Sequence, residues 1–200
     1  MHAEQQLIGR AQRGDQAAFV ALVTLYETPI YNLCYRLLGE AREAEDAAQE
    51  TFLRAYQHCR TFDAGRSFKT WLFSIAGHYC IDRLRRRRWL WLSIDDEGPL
   101  QHPALHAPGL GPEDAALRSE GEAAVQALLD RLNPRDRQAV VLRYWHELSY
   151  AEIARLTGAT LSAVKSRLHR AREHLAGLVR GDQDNSAGFA LRSAHPSPAH

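Results

Sequence analysis

The sequence predicts an all-α protein of two small helical domains joined by a flexible linker, the second a helix-turn-helix domain of four helices, winged-helix-like in outline. Three observations carry this. Apolar residues recur at helical spacing in both halves, strand-like alternation is absent, and a stretch rich in proline and glycine separates the halves. A chain of 200 residues suits one medium domain or two small ones.

The first domain is expected over 10–92. Phe19, Leu22, Val23, Tyr26, Ile30, Leu33 and Leu37 mark its first helix, which Pro29 is expected to kink or divide and Gly39 to stop. A second helix runs from Arg42 to His58, with Ala44, Ala48, Phe52 and Ala55 inward and Asp46, Gln49, Glu50 and Leu53 on the other side. Asp63 and Gly65 make the loop that follows. Ser67 can cap a long helix from Phe68 to about Trp89, with Leu72, Ile75, Tyr79 and Leu84 as its apolar stripe and Trp71 alongside. The linker is placed at 93–112, where Gly98, Pro99, Pro103, Pro108, Gly109, Gly111 and Pro112 leave little apolar periodicity.

The second domain, 113–180, has clear punctuation. Pro112 opens a helix to Leu132, and Asn133-Pro134 caps the next, which is expected to end near His146. Ser149 with Glu152 forms a capping box for a short helix to Thr157. Gly158 turns the chain, and Thr160 caps a last helix to about Val179. The tail 181–200 reads as disordered.

Composition narrows the function. No apolar run approaches the roughly 20 residues of a membrane span, and Met1–Gln16 lacks a signal-peptide core, so a cytoplasmic place without membrane insertion is expected. The three cysteines, Cys34, Cys59 and Cys80, have no CxxC spacing and read as reduced, partly buried residues. Ten histidines raise the question of catalysis, but His102, His106, His195 and His200 fall in the linker or tail. No nucleophile–base set, phosphate loop or metal-ligand spacing occurs, so no enzyme, cofactor or metal is expected.

Net charge is only +1, yet its distribution is uneven: acidic residues gather over 40–50 and 95–122, basic ones over 83–88 and 155–172. On the last helix Leu161, Val164, Leu168 and Leu175 are expected inward, and Ser162, Lys165, Ser166, His169 and Arg170 outward. Capped helix, glycine turn and longer basic helix together make a helix-turn-helix, whose second helix enters the major groove. A helical hairpin with a solvated basic face is the plainer alternative. In the first domain Arg83, Arg85, Arg86, Arg87 and Arg88 follow Phe62, Phe68, Trp71, Phe73 and Tyr79. Arginines track phosphate and exposed rings receive unstacked bases, so this helix suits single-stranded DNA. Most of these rings should be core, but Phe62 lies in a loop. Trp89–Leu92 forms an apolar patch suited to packing on the domain or a partner.

These residues resemble a known family. Glu45-Asp46-Ala47-Ala48-Gln49-Glu50-Thr51-Phe52-Leu53-Arg54-Ala55 resembles the polymerase-binding helix of bacterial sigma factors. Phe68–Ala76 followed by Ile81–Arg86 resembles their promoter-melting helix, and Leu148–Ala154 with Val164–Arg172 their upstream-element reader. Their order and the short linker match the extracytoplasmic-function (ECF) branch, over roughly 10–180. The resemblance implies that Asp46, Gln49, Glu50 and Phe52 dock on core RNA polymerase. It implies that Phe62, Trp71, His78 and Asp82, with Arg83, Arg85 and Arg86, surround the single-stranded −10 element. Lys165, Ser166, His169 and Arg170 would read the duplex −35 element, with Arg143 on a phosphate. An anti-sigma factor covering the docking surface is a further partner the family suggests. Two positions depart from the pattern. Gly77-His78 stands where the family often has Arg-Asn, which bears on −10 base preference, and Ala163 stands where Thr is common. A stand-alone helix-turn-helix regulator is the alternative function, but it leaves the acidic helix and the arginine-aromatic helix without a purpose.

Overall fold

The computed structural model describes residues 2–92 and 112–193, with side chains for 3–87 and 121–180. The expected linker therefore lies outside the described residues except for Pro112, as do the side chains of the Trp89–Leu92 patch. All described elements are helical.

The first domain holds α1 (His2–Gln12), α2 (Gln16–Leu38), α3 (Ala41–His58), a single 3-10 turn (Cys59–Thr61) and α4 (Phe68–Leu92). Helix α1 was not foreseen; its Ile8 and Ala11 join the core. Asp15 caps α2, accepting from the Ala18 amide at 3.1 Å, and Arg10 holds the same carboxylate at 2.7 Å. The division that Pro29 could have caused does not occur: α2 runs through it as one helix. The amide that proline lacks would have bonded the Leu25 carbonyl, and Leu25 is exposed, so water can serve that carbonyl. By length and composition alone α2 could also cross a membrane, with a mean hydropathy of 1.2, which corrects the expectation that no run comes close. It is apolar because it is the central helix: Leu22, Ile30, Leu33 and Leu37 are buried where it packs on α1, α3 and α4. Gly39 ends it at φ 79°.

Glu40 caps α3, its carboxylate accepting from the Arg42 and Glu43 amides at 2.9 and 2.8 Å. The buried face of α3 consists of small residues, Ala44, Ala47, Ala48, Thr51 and Ala55, which let its backbone approach α2 closely. Ser67 caps α4, accepting from the Thr70 amide at 3.2 Å, as expected. Leu72, Phe73, Ala76 and Cys80 of α4 are fully buried. All three cysteines are free and buried. A hydrogen bond with Cys34, and then burial, push the Cys80 thiol well above its ordinary range, so it stays protonated.

The second domain holds α5 (Pro112–Asp130), α6 (Pro134–Tyr144), α7 (Tyr150–Thr157) and α8 (Leu161–Ser193). Asn133 caps α6, accepting from the Asp136 amide at 3.0 Å. Helix α8 continues beyond Val179 to Ser193, so the tail expected to be disordered from 181 is helical through 193. No proline interrupts the chain there before Pro196, and the helix already formed can propagate.

The two domains pack on each other, α4 against α6 and α7, and α2 against α5 and α6. Gln126 and Arg137 of the second domain reach the last carbonyls of α2: Gln126 Nε2 donates to Arg36 O at 3.4 Å and Arg137 Nη1 to Leu37 O at 2.8 Å.

Candidate polymerase and nucleic-acid interfaces

Helix α3 separates its faces by composition. With the alanine face turned inward, Asp46 and Gln49 are exposed and Glu50 is half-buried beside Arg54, which it binds at 2.7 Å. Leu53, one turn further, is 52% exposed and adds an apolar side chain to this acidic face. Tyr56 and Val20 are exposed as well; periodicity marked Leu53 as outward but gave no sign of the other two. Phe52 does not share the face. It is half-buried and packs on the core.

Helix α4 and the loop before it carry the single-strand candidates. Phe62 is only 6% exposed, its ring 5.4 Å from Phe68 and 4.7 Å from Trp71. Gln12 locks its backbone, donating to Phe62 O at 2.6 Å. An aromatic that could reach a base could equally close a cluster, and burial of its full ring area decided the outcome. Trp71, half-buried, stands at the edge of that cluster. His78, Asp82 and Arg85 follow at helical spacing and line a cleft of about 290 Å³ with Arg135, Gln138 and Arg167 of the second domain.

The arginine run divides between two faces. Arg83 and Arg87 turn back to Glu43, at 3.7 and 3.1 Å, and Arg83 also donates to the Tyr79 hydroxyl at 3.3 Å. These two are anchored within the domain. Arg85 and Arg86 are exposed, with Arg85 4.0 Å from Asp82, a loose pair that phosphate can displace. Among the described side chains of the run, Arg85 and Arg86 are thus the ones not held by Glu43.

The helix-turn-helix forms as its sequence dictates. Ser149 Oγ accepts from the Glu152 amide at 3.3 Å while the Glu152 carboxylate accepts from the Ser149 amide at 2.8 Å and its hydroxyl at 2.6 Å. Those bonds hold the Glu152 carboxyl below the usual range. Gly158, at φ 62°, takes the left-handed conformation that ends α7. Thr160 Oγ1 accepts from the Ala163 amide at 3.1 Å and starts α8. Val164 and Leu168 are buried, and Ser162, Lys165, Ser166, His169 and Arg170 are exposed, as expected; Leu175, also expected inward, is half-buried, and Ala171 joins the buried side. Leu161, expected inward, is exposed instead; it lies in the first turn, ahead of the part that packs on α6 and α7. Two candidates are engaged internally. Arg170 places a fork on the buried Asp136, Nη2 to Oδ1 at 3.1 Å and Nε to Oδ2 at 3.4 Å. Arg143 donates to Leu148 O at 3.0 Å and lies over the Tyr150 ring. Each is pre-oriented by these contacts.

Fold and surfaces define a two-domain helical protein with a helix-turn-helix reader. The family model of Sigma-70 region 2 matches residues 22–90, and that of Sigma-70, region 4 matches 122–175. The ECF RNA polymerase sigma factor SigW of Bacillus subtilis is 40% identical over 177 residues, covering 86% of this chain and 95% of that protein. The RNA polymerase sigma-H factor of Pseudomonas aeruginosa is 36% identical over 174 residues, 85% of this chain and 90% of its own length. Among solved structures, CnrH in complex with the cytosolic domain of CnrY matches with a TM-score of 0.65 and 26% identity, over 90% of this chain and 99% of that one. The sigma factor RpoE bound to the anti-sigma factor NepR, from Bartonella quintana, gives 0.61 at 24% identity, over 81% and 96%, and speaks for the fold alone. The chain belongs to the sigma-70 family, in its ECF branch. A stand-alone regulator, which would not need both regions, is set aside.

Proposed function

We propose that this sigma factor docks on core RNA polymerase through Asp46, Gln49, Glu50 and Leu53 of α3, and reads promoter DNA with α4 and α8. Lys165, Ser166, His169 and Arg170 face the −35 duplex. Trp71, His78, Asp82, Arg85 and Arg86 receive the melted −10 strand, with Phe62 buttressing Trp71. Phe52 and Arg83 hold the two surfaces in shape. The observation that supports this most is the outward face of α8: four polar donors in a row on a helix whose opposite side is buried. The chain acts by binding, without catalysis or cofactor, and works in the cytoplasm where its DNA is. An anti-sigma factor is a further partner in this reading, consistent with CnrH having been solved with a segment of another protein.

The test is transcription in vitro with purified core RNA polymerase and fragmented genomic DNA, with and without the chain, followed by sequencing of RNA 5′ ends. New starts that share two upstream elements are expected. No new starts, with specific duplex binding by the chain alone, would overturn the proposal.

A further inference from the structure

We propose that Asp136 is a positioning residue for promoter selection: it takes one edge of the Arg170 guanidinium and so leaves the other edge to read a guanine. The proposal rests on the −35 reading by Arg170 given above and deepens it to one residue and one base.

The Asp136 side chain is only 5% exposed, and a buried carboxylate is tolerated where its lone pairs are filled. Oδ2 accepts from Asn133 Nδ2 at 2.8 Å and from Arg170 Nε at 3.4 Å, and Oδ1 accepts from Arg170 Nη2 at 3.1 Å. Capping accounts for an acid in the first turn of α6, where the helix dipole also favours negative charge. It does not account for the bond to Arg170, which lies 34 residues away on the outward face of α8.

The atoms engaged decide what is left. Nε and Nη2 make up the side-on edge of the guanidinium. Its five N–H donors are fixed in one plane, so the end-on edge, with one N–H each from Nη1 and Nη2, stays available. The Arg170 side chain is 59% exposed, and among the described residues Nη1 meets no acceptor. Two parallel donors match O6 and N7 of guanine, the one base that presents two acceptors in the major groove. An untethered arginine on this face has another choice, phosphate, which adds affinity to every sequence alike. The tether removes that choice. A plainer role also exists. Arg167 is pushed below its ordinary range by burial and then by Arg135, while Asp136 acts the other way, so Asp136 offsets repulsion among these cations. That role alone would have no bearing on which base is chosen.

The test uses holoenzyme, core RNA polymerase with the full chain, on promoter fragments from the starts mapped above, with each −35 base pair replaced singly. The quantity read is the affinity for the parent fragment divided by that for each replaced one. Arg170→Ala should flatten this ratio at one G·C pair. Asp136→Asn should lower it at the same pair by roughly fivefold, less than the full bidentate discrimination, because a freed guanidinium still meets the base part of the time. Affinity for the fragment replaced at that pair should hold or rise. Asp136→Glu, which keeps a carboxylate suited to the capping position, should restore the ratio. In the Arg170→Ala background Asp136→Asn should change the ratio no further. Circular dichroism and the melting temperature report the fold of each chain. Should Asp136→Asn unfold, Arg170→Lys stands in: its ammonium still pairs with Asp136 but presents no parallel fork, so the ratio should collapse while non-selective binding is kept. A parent-like ratio in Arg170→Lys, binding lowered alike on every fragment by Asp136→Asn, or an equal effect of that change without Arg170 would overturn the positioning role. Flattening at an A·T pair would overturn the guanine assignment. If Arg170→Ala leaves every ratio unchanged, the −35 reading by Arg170 falls and the proposal with it; if only Asp136→Asn does, the proposal alone falls.

Discussion

Mild acid should part the two packed domains, and His146 sets how far. Its ring is enclosed by Phe73 and Lys69 of α4, and it lines a cavity of about 500 Å³ with Tyr31, Tyr35 and Arg36 of α2 and Glu122 of α5. Burial first, and the Lys69 ammonium second, lower its pKa from 6.5 to about 4. The packed form therefore prefers neutral His146, whereas in an open form a solvated His146 takes up a proton near pH 6.5. Above that pH the packed form has its full advantage. Between 6.5 and 4 the open form binds the proton and the advantage shrinks by about 1.4 kcal/mol per pH unit. At about pH 5 the loss is roughly 2 kcal/mol, a thirtyfold shift toward open, and it levels off near 3 kcal/mol below pH 4. The Arg36 side chain lines the same cavity and Lys69 lies beside the ring, so both oppose a proton on His146. The assay is energy transfer between a donor and an acceptor on Gln57→Cys and His174→Cys, both exposed sites, the native cysteines being buried. It is followed from neutral pH to about pH 5, with His146→Phe as the control that retains the ring contact without the proton. A transfer profile identical in the two chains would refute the reasoning, because the remaining carboxylates would then account for all of it.

Three further outcomes are expected. Asp46→Ala with Glu50→Ala should weaken binding to core polymerase while leaving the melting temperature nearly unchanged, since the half-exposed Glu50–Arg54 pair is worth only about 0.5 kcal/mol; unchanged polymerase affinity would remove this face from the docking site. Arg170→Ala should cost about 1–3 kcal/mol on the cognate −35 duplex and less on scrambled duplex, whereas Lys165→Ala should weaken both alike and reduce the salt slope by about one; titrations at several salt concentrations separate the two. Ser149→Ala removes the capping box at the start of α7 and should lower stability by about 1 kcal/mol, read from thermal unfolding.

The helices were legible because their signals are local. Ser149, Asn133, Ser67 and Gly158 act within a turn of themselves, and each caps or ends the helix expected of it. The outward set on α8 followed from the same periodicity. What could not be read depends on distant partners. Nothing near Phe62 in the sequence shows that Phe68, Trp71 and Gln12 enclose it. The arginine run looked uniform until Glu43, some forty residues earlier, claimed two of its members. Gly77 was noticed only as a departure bearing on base preference, because its neighbour Gln138 lies in the other domain. Pro29 and Leu161 show the weakness of rules applied to a single residue where exposure at one turn decides the outcome.

The end of α2 has a consequence for how such a chain can diversify. Its last turn is completed by Gln126 and Arg137, borrowed from another domain, and not by a side chain of its own. Helix-end carbonyls are readily taken over by water, so loss of either donor leaves the core of the first domain intact. The strength with which the two domains hold each other can therefore drift through single substitutions at 126 or 137. Neither hydrophobic core, the polymerase-docking face nor the base-reading face need change with it. The hold between domains can thus evolve separately from the choice of promoter.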